Sequence, residues 1–451
     1  MSRPRRSVLF LIADDWSRIA GCYGSDVIRT PNIDSLADEG VVFEYAFCVS
    51  PSCAVSRACI LTGLHSHTHG QYGHCHGIHG FRTHEHVKSV PGILREAGFA
   101  TACIGKKHVA PDSVYPFEHE PRVDARSPAD MADRVTEFLS STGDNPFYLH
   151  VGSAHPHRAG RGFGNDRVPR GITPGSYDPA DVVVPGFLPD LPEVRGDLAD
   201  YYESVSRWDQ VVGAVVGALR DSGRADDTLI VITTDHAMPF PGAKASSFDS
   251  GHHCPLIVVD PSQTARGIRS QALMNWVDFC PTFLDWCGVD HPDGAGALPG
   301  RSFLPILADE SEHPGDGAWE ETFTSHCFHE VTNYYPYRAL RGRRYKYVRN
   351  LAHQLPTPLP SDLFRSPSWT AVRDRNVDQL GDRPRDAFVQ QDAEALFDMQ
   401  ADPDEGRNLI ADPAHAEIAA EMRRKVMDFR IRTADPWLEQ SFQEGEPGAT
   451  I

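Results

Sequence analysis

Five short, nearly continuous apolar runs set the tightest limit on what this chain can fold into. They are Val8–Ala13, Phe99–Ile104, Phe147–Val151, Leu229–Thr233 and Leu256–Val259. Runs of this kind read as strands buried on both faces, because a strand with one wet face alternates apolar and polar residues. Helical patterns separate them. Pro31–Ala37 follows Thr30, which predicts an N-cap with proline at the first helical position. Pro128–Ser140, Arg195–Ser222 and Val277–Cys287 read as further helices. The alternation predicts an α/β fold: a large, mostly parallel sheet covered by helices on both sides.

The texture changes near Trp319. Glu321–Cys327, Tyr337–Arg341 and Tyr345–Arg349 read as short antiparallel strands, with Gly342-Arg343-Arg344 turning the last pair. The Pro/Ser-rich passage Leu355–Ser368 reads as loop, and a helix near His415–Ile431 follows. The expected division is a catalytic domain over 1–318 and a smaller α+β domain over 319–451 that completes the substrate pocket.

Composition narrows the function classes. Among 451 residues, 43 Lys+Arg stand against 62 Asp+Glu, a formal net charge of −19. Such a surface repels nucleic acid and anionic membrane at long range, so neither is an expected partner. It leaves room for a small cationic pocket. Three arginines precede Ser7–Ala13, but that run is short and ends in Asp14-Asp15, so it reads as a first strand rather than an export signal. No segment is long and apolar enough to span a membrane. The ten cysteines show no disulfide-like spacing, and the expected location is a reducing cytoplasm.

In open α/β sheets the ligand sits beyond the carboxyl ends of the strands. Four runs here end in chemistry: Asp14-Asp15, Gly105-Lys106-Lys107-His108, Ser153 to His157, and Asp235-His236. Each acidic dyad alone suits a cap or a loop as well as a cation. Two at neighbouring strand tips favour a divalent metal, with His236 admitting Mn, Fe or Zn. Cys53 falls at a predicted helix N-terminus, and Arg57 lies one turn on along the same face. Taken alone, the pair also fits a buried structural cysteine beside a surface arginine. Lys106, Lys107, His108, His155, His157 and Lys244 would gather positive charge near one point and stabilise charge on sulfuryl or phosphoryl oxygens. The segment from His65 to His86 holds eight of the 22 histidines without a zinc-ligand spacing, and reads as a pocket-lining loop.

These residues resemble the sulfatases of the alkaline-phosphatase superfamily. The matching pieces are Leu11–Asp15, Thr30–Asp34, Cys53–Arg57 with Leu61-Thr62-Gly63, Gly105–His108 and Thr234–His236. Longer stretches, among them Val114–Phe117, Pro156–Arg158, His329–Thr332 and Asp435–Trp437, resemble the N-sulfoglucosamine sulfohydrolase (sulfamidase) branch. The resemblance runs in order from about Ser7 to Trp437. It implies an alkaline-phosphatase-like sandwich and a formylglycine derived from Cys53 by a formylglycine-generating enzyme. The hydrated aldehyde would act as nucleophile. Asp14, Asp15, Cys53, Asp235 and His236 would hold one divalent metal, calcium by family. Arg57 would steady the formylglycine, and Lys106 and Lys244 would bind sulfate. His108 would act as base and His157 would assist the leaving group. His329 and Glu330 would contact a small sulfated sugar, terminal N-sulfoglucosamine being favoured. A homodimer is also implied.

Two positions depart from the family pattern. Val55 stands two residues after Cys53 where Pro or Ala is usual, and His236 stands where sulfamidases carry Asn. The second favours, as an alternative, a phosphodiesterase or phosphonate monoester hydrolase on the same scaffold. The first leaves open a sulfated-sugar binding protein with an unmodified Cys53.

Overall fold

The computed structural model describes residues 6–160, 162–294 and 296–438. Its main sheet has eight strands: β1 Ser7–Ala13, β2 Val41–Phe47, β3 Ala100–Gly105, β4 Phe147–Gly152, β5 Thr228–Thr234, β6 His253–Cys254, β7 Leu256–Val259 and β8 Ile268–Asn275. The order is β3-β4-β1-β5-β7-β2-β6, with β8 also on β2. β3, β4, β1 and β5 run parallel, and β7 is antiparallel to both β5 and β2. The sheet is mixed and mostly parallel, as expected.

Strand geometry sends alternate residues to opposite faces. Val8, Phe10 and Ile12 enter one core with Val55, Cys59, Phe279 and Phe283. Leu9, Leu11 and Ala13 enter the other with Val135, Leu198, Trp208 and Val212. Both faces of β1 are therefore dry, which is why its sequence shows no alternation.

A second sheet contains β9 Glu321–Phe328, β10 Tyr334–Gly342 and β11 Tyr345–Asn350. A small ribbon pairs β12 Gln379–Leu380 with β13 Arg383–Pro384, and β14 Glu394–Asp398 completes the second sheet in the antiparallel order β14-β11-β10-β9. The helix Ala416–Arg432 covers one face through Met422 and Val426.

Three local expectations change. Thr30 precedes the helix Pro31–Glu39 but makes no side-chain cap. Its hydroxyl instead accepts the Gly21 amide and donates to Asp34. Leu355–Ser368 is not all loop, because Ser361–Phe364 forms one helical turn. Val41–Phe47 and Ile268–Asn275 are strands that the apolar runs did not mark; both carry polar residues, such as Glu44 and Gln271, inside the strand. Among the described residues, no helix is long and apolar enough to cross a membrane.

Candidate active site

The parallel strands end side by side. β1 delivers Asp14 and Asp15, β3 delivers Lys106, β4 leads to His157, and β5 delivers Asp235 and His236. Two features let the chain turn there. Asp15 and His108 adopt left-handed φ values of 69° and 57°, uncommon for residues with a Cβ and often found where function fixes the backbone. Gly152 lets β4 approach β3 closely, since a Cβ there would lie 2.1 Å from the Lys106 carbonyl oxygen.

Cys53 is the first residue of the buried helix Cys53–Thr62, with Ser52 in extended conformation before it. Its Sγ lies 3.2 Å from His236 Nε2 and 3.8 Å from Asp15 Oδ1. Ligand-type atoms of Asp14, Asp15, Cys53 and His157 lie within 4.8 Å of one another, as do those of Cys53, Asp235 and His236. Asp14 Oδ1 is buried without a hydrogen-bond partner. Convergent carboxylates, two imidazoles and an orphaned carboxylate oxygen fit a divalent cation.

Cations surround the dyads. Arg57 is fully buried; its Nε donates to Asp235 Oδ2 at 3.0 Å and its Nη2 lies 3.5 Å from Asp14 Oδ1. Its remaining donors reach the Lys106 and Ala13 carbonyls. Arg57 thus bonds the carboxylates rather than Cys53. Lys106 pairs with Asp14, and Lys244 bridges Asp15 at 3.0 Å and Asp362 at 2.8 Å. His157 Nδ1 is 2.9 Å from Asp15 Oδ2, so it belongs to the carboxylate cluster itself. Two expected members lie elsewhere. Lys107 pairs outward with Asp112 and Glu120, because successive residues leave the strand on opposite sides. His155 is buried against Ser204 and Arg126.

Electrostatics follow from this packing. Burial works to raise Asp14 and Asp15. Lys106, His157 and Arg57 outweigh it at Asp14, and Lys244, His157 and His236 at Asp15, so both stay well below the usual carboxylate range. Asp235 moves up, through burial and the Asp14 charge, against Arg57 and His236. Burial pushes the Cys53 thiol well up, although Lys244 and Lys106 oppose it. Burial, with Lys106 beside it, pushes the His108 imidazole well down, which leaves it neutral.

Cys53, Lys106, His108, His157, Lys244, His329 and Glu330 all line one chamber of about 410 Å³. His329 Nδ1 is 2.9 Å from Ser52 Oγ, and its Nε2 is 3.1 Å from His74 Nε2. His76 Nδ1 is 2.8 Å from His108 Nε2. Glu330 accepts a hydrogen bond from the Ser361 hydroxyl at 2.5 Å. Sequence reasoning passed over Asp362, Ser361 and Ser52. Ser361-Asp362 before Leu363-Phe364 is a helix-start signal that the surrounding prolines obscured. A larger cavity of about 560 Å³, between Leu64 and the end of the last helix, holds none of the strand-tip groups.

The sheet, the strand-end carboxylates and the lysines of the chamber are the arrangement of a hydrolase whose donor set suits a metal ion. The chain belongs to the sulfatase family: the sulfatase family model matches residues 6–289. The model for the C-terminal part of N-sulphoglucosamine sulphohydrolase matches residues 243–356. Human N-sulphoglucosamine sulphohydrolase is 36% identical over 97% of this chain and 92% of its own length. An ulvan-active sulfatase of Formosa agariphila is 27% identical over 95% of this chain and 80% of its own length. Among solved structures, one in complex with its substrate D-glucosamine-2-N,6-O-disulfate superposes with TM-score 0.68 at 20% identity, covering 96% of this chain and 99% of that one. The phosphonate monoester hydrolase of Agrobacterium radiobacter superposes with TM-score 0.69 at 19% identity, over 95% and 96% of the two chains. At these identities the structural likenesses speak for the fold.

Proposed function

We propose that this sulfatase releases inorganic sulfate from a small sulfated saccharide, with terminal N-sulfoglucosamine as the preferred substrate. The observation that carries the reading is Cys53 at the head of a buried helix, 3.2 Å from His236, in a chamber shared with Lys106 and Lys244. The relation to the human sulphohydrolase along nearly the whole chain supports the sulfamate preference.

Formylglycine at Cys53 would supply a hydrated aldehyde as nucleophile. A divalent cation held by Asp14, Asp15, Asp235 and His236, with Cys53 beside it, would supply Lewis-acid polarisation; calcium is the family choice, and His236 also suits manganese or zinc. The chain's own groups divide the remaining work. Lys106 and Lys244 bind sulfate oxygens, where charge grows as the bond to nitrogen breaks. The neutral His108 accepts a proton, and His157 sits to serve the departing amine. Arg57 keeps Asp14 and Asp235 charged and in place. His329 and Glu330, supplied by the 319–451 part of the chain, hold the sugar.

The test is sulfate release from N-sulfoglucosamine by protein whose Cys53 peptide shows formylglycine by mass spectrometry. Release that is abolished in C53A is expected. Converted protein that releases no sulfate would overturn the assignment, and an unconverted thiol in native-host protein would favour a binding role.

The buried His236 in the second dyad favours one further reading, phosphodiester or phosphonate monoester hydrolysis. Side-by-side turnover of an aryl sulfate and an aryl phosphodiester decides between them. A larger kcat/KM for the phosphodiester would select the second.

A further inference from the structure

The histidine-rich segment brings a second imidazole onto His108. His74, His76, His108 and His329 all line the chamber over Cys53. Among the described residues the His108 ring makes one hydrogen bond, between its Nε2 and His76 Nδ1 at 2.8 Å, and its Nδ1 is buried without a partner. An imidazole has only these two polar atoms. His76 is therefore the one polar contact that sets the plane of the His108 ring and the nitrogen on which its proton rides.

Both rings are neutral. Burial pushes each down, aided by Lys106 at His108 and by His79 and Lys106 at His76, where Glu330 opposes. Two neutral imidazoles form a single N–H···N bond, one ring donating and the other accepting, so each fixes the tautomer of the other.

His76 is exposed, so its loop must hold it in place. Two residues earlier, the buried His74 packs beside the pair, its ring centroid 5.1 Å from that of His76 and 5.0 Å from that of His108. The His74 amide donates to the His329 carbonyl, and His74 Nε2 lies 3.1 Å from His329 Nε2. Three residues after His76, His79 Nδ1 accepts the Val331 amide at 3.1 Å. The loop is thus pinned on both sides of His76 to the connection between β9 and β10.

We infer that His76 is a positioning residue for His108, orienting that imidazole and fixing its tautomer for the proton transfer assigned to it above. This rests on that assignment and deepens it.

The experiment follows sulfate release from N-sulfoglucosamine and from an aryl sulfate by wild type, H76A, H76N, H108A and the double variant H76A/H108A, each with formylglycine at residue 53 verified. H76A is expected to lose about tenfold in kcat with KM within about twofold, because a misplaced catalytic group slows the chemistry and not the binding. H76N puts an amide near the Nδ1 position and should recover most of the loss. In the H108A background H76A should cost nothing further, since its route to the reaction runs through His108. Losses that multiply in the double variant, an H76A kcat equal to wild type, or a rise in KM alone overturns the positioning role and leaves the assignment of His108 intact. An H108A kcat equal to wild type, or sulfate release from neither substrate, overturns that assignment and the positioning with it.

Discussion

Arg57 concentrates the physical demands of the site in one side chain. It is the buried cation that faces Asp14 and Asp235 together, at 3.5 and 3.0 Å. Removing one partner of a buried ion pair leaves uncompensated charge, which costs about 3–5 kcal/mol. R57A should therefore lower stability by about that amount, read as a drop in urea midpoint with chelator present. R57K should fall between, because an ammonium keeps the charge but loses the planar fork. An R57A midpoint equal to wild type would show that the dyads do not need this counter-ion. The same residue shows what a sequence conveys. Helical spacing put Arg57 on the face of Cys53, and the resemblance assigned it to that residue. Its actual partners come from strand tips far away in the chain, and no local spacing encodes which of them it meets. Asp14, Asp15, Asp235 and His236 were legible because each dyad ends a buried apolar run, where an unsolvated charge demands a reason. Asp362 was not, because it sits in a proline-rich passage whose single helical turn is too short to leave a periodic signal.

At the scale of elements, the strands that carry chemistry were the ones most readily seen. β1, β4, β5 and β7 are dry on both faces and continuous in sequence. β8 carries exposed Arg269 beside buried positions, so its pattern blurs. What the apolar runs do not convey is how close two strand ends stand. Gly152 sets that distance between β3 and β4, and the Lys106 carbonyl it faces also accepts from Arg57. G152A would drive a Cβ to 2.1 Å from that oxygen, so the strand ends must part and carry Lys106 with them. A displacement of about 1 Å at a catalytic group costs on the order of 100-fold in kcat. Gly217 is the control: it lies within the helix Pro192–Asp221, and an added Cβ meets nothing within 4 Å. G217A should leave kcat unchanged and raise stability by roughly 0.5–1 kcal/mol. Equal kcat in G152A and wild type would rule out the close approach as a determinant of the site.

The whole chain carries a formal net charge of −19, and its stability should depend on pH for a reason separate from that balance. Among the described residues several histidines are held neutral by the fold, among them the buried His65, His69 and His150 and the half-buried His253. Burial pushes His65, His69, His150 and His253 down to about 3, with Arg338 adding at His65, His65 itself at His69, Arg57 at His150 and Arg18 at His253. The unfolded chain titrates each near 6.5. Above that pH both states are neutral and nothing changes. Below it the unfolded chain binds protons that the folded one refuses, so stability falls as pH drops and keeps falling until about pH 3. Each histidine contributes roughly 1 kcal/mol per pH unit once well below 6.5, against a total stability of roughly 5–15 kcal/mol. Urea midpoints should hold steady from pH 8 to about 7 and then decline steeply to pH 5.5. His150 isolates the cause, because it packs edge-on against Phe10 and Phe117 with ring centroids 5.3 and 5.9 Å away. H150F keeps an aromatic ring there and removes one titrating group, so its decline should be shallower whatever its absolute stability. A midpoint that stays level from pH 7.5 to 5.5, or an H150F slope equal to wild type, would mean that these buried imidazoles do not set the acid limit of the fold.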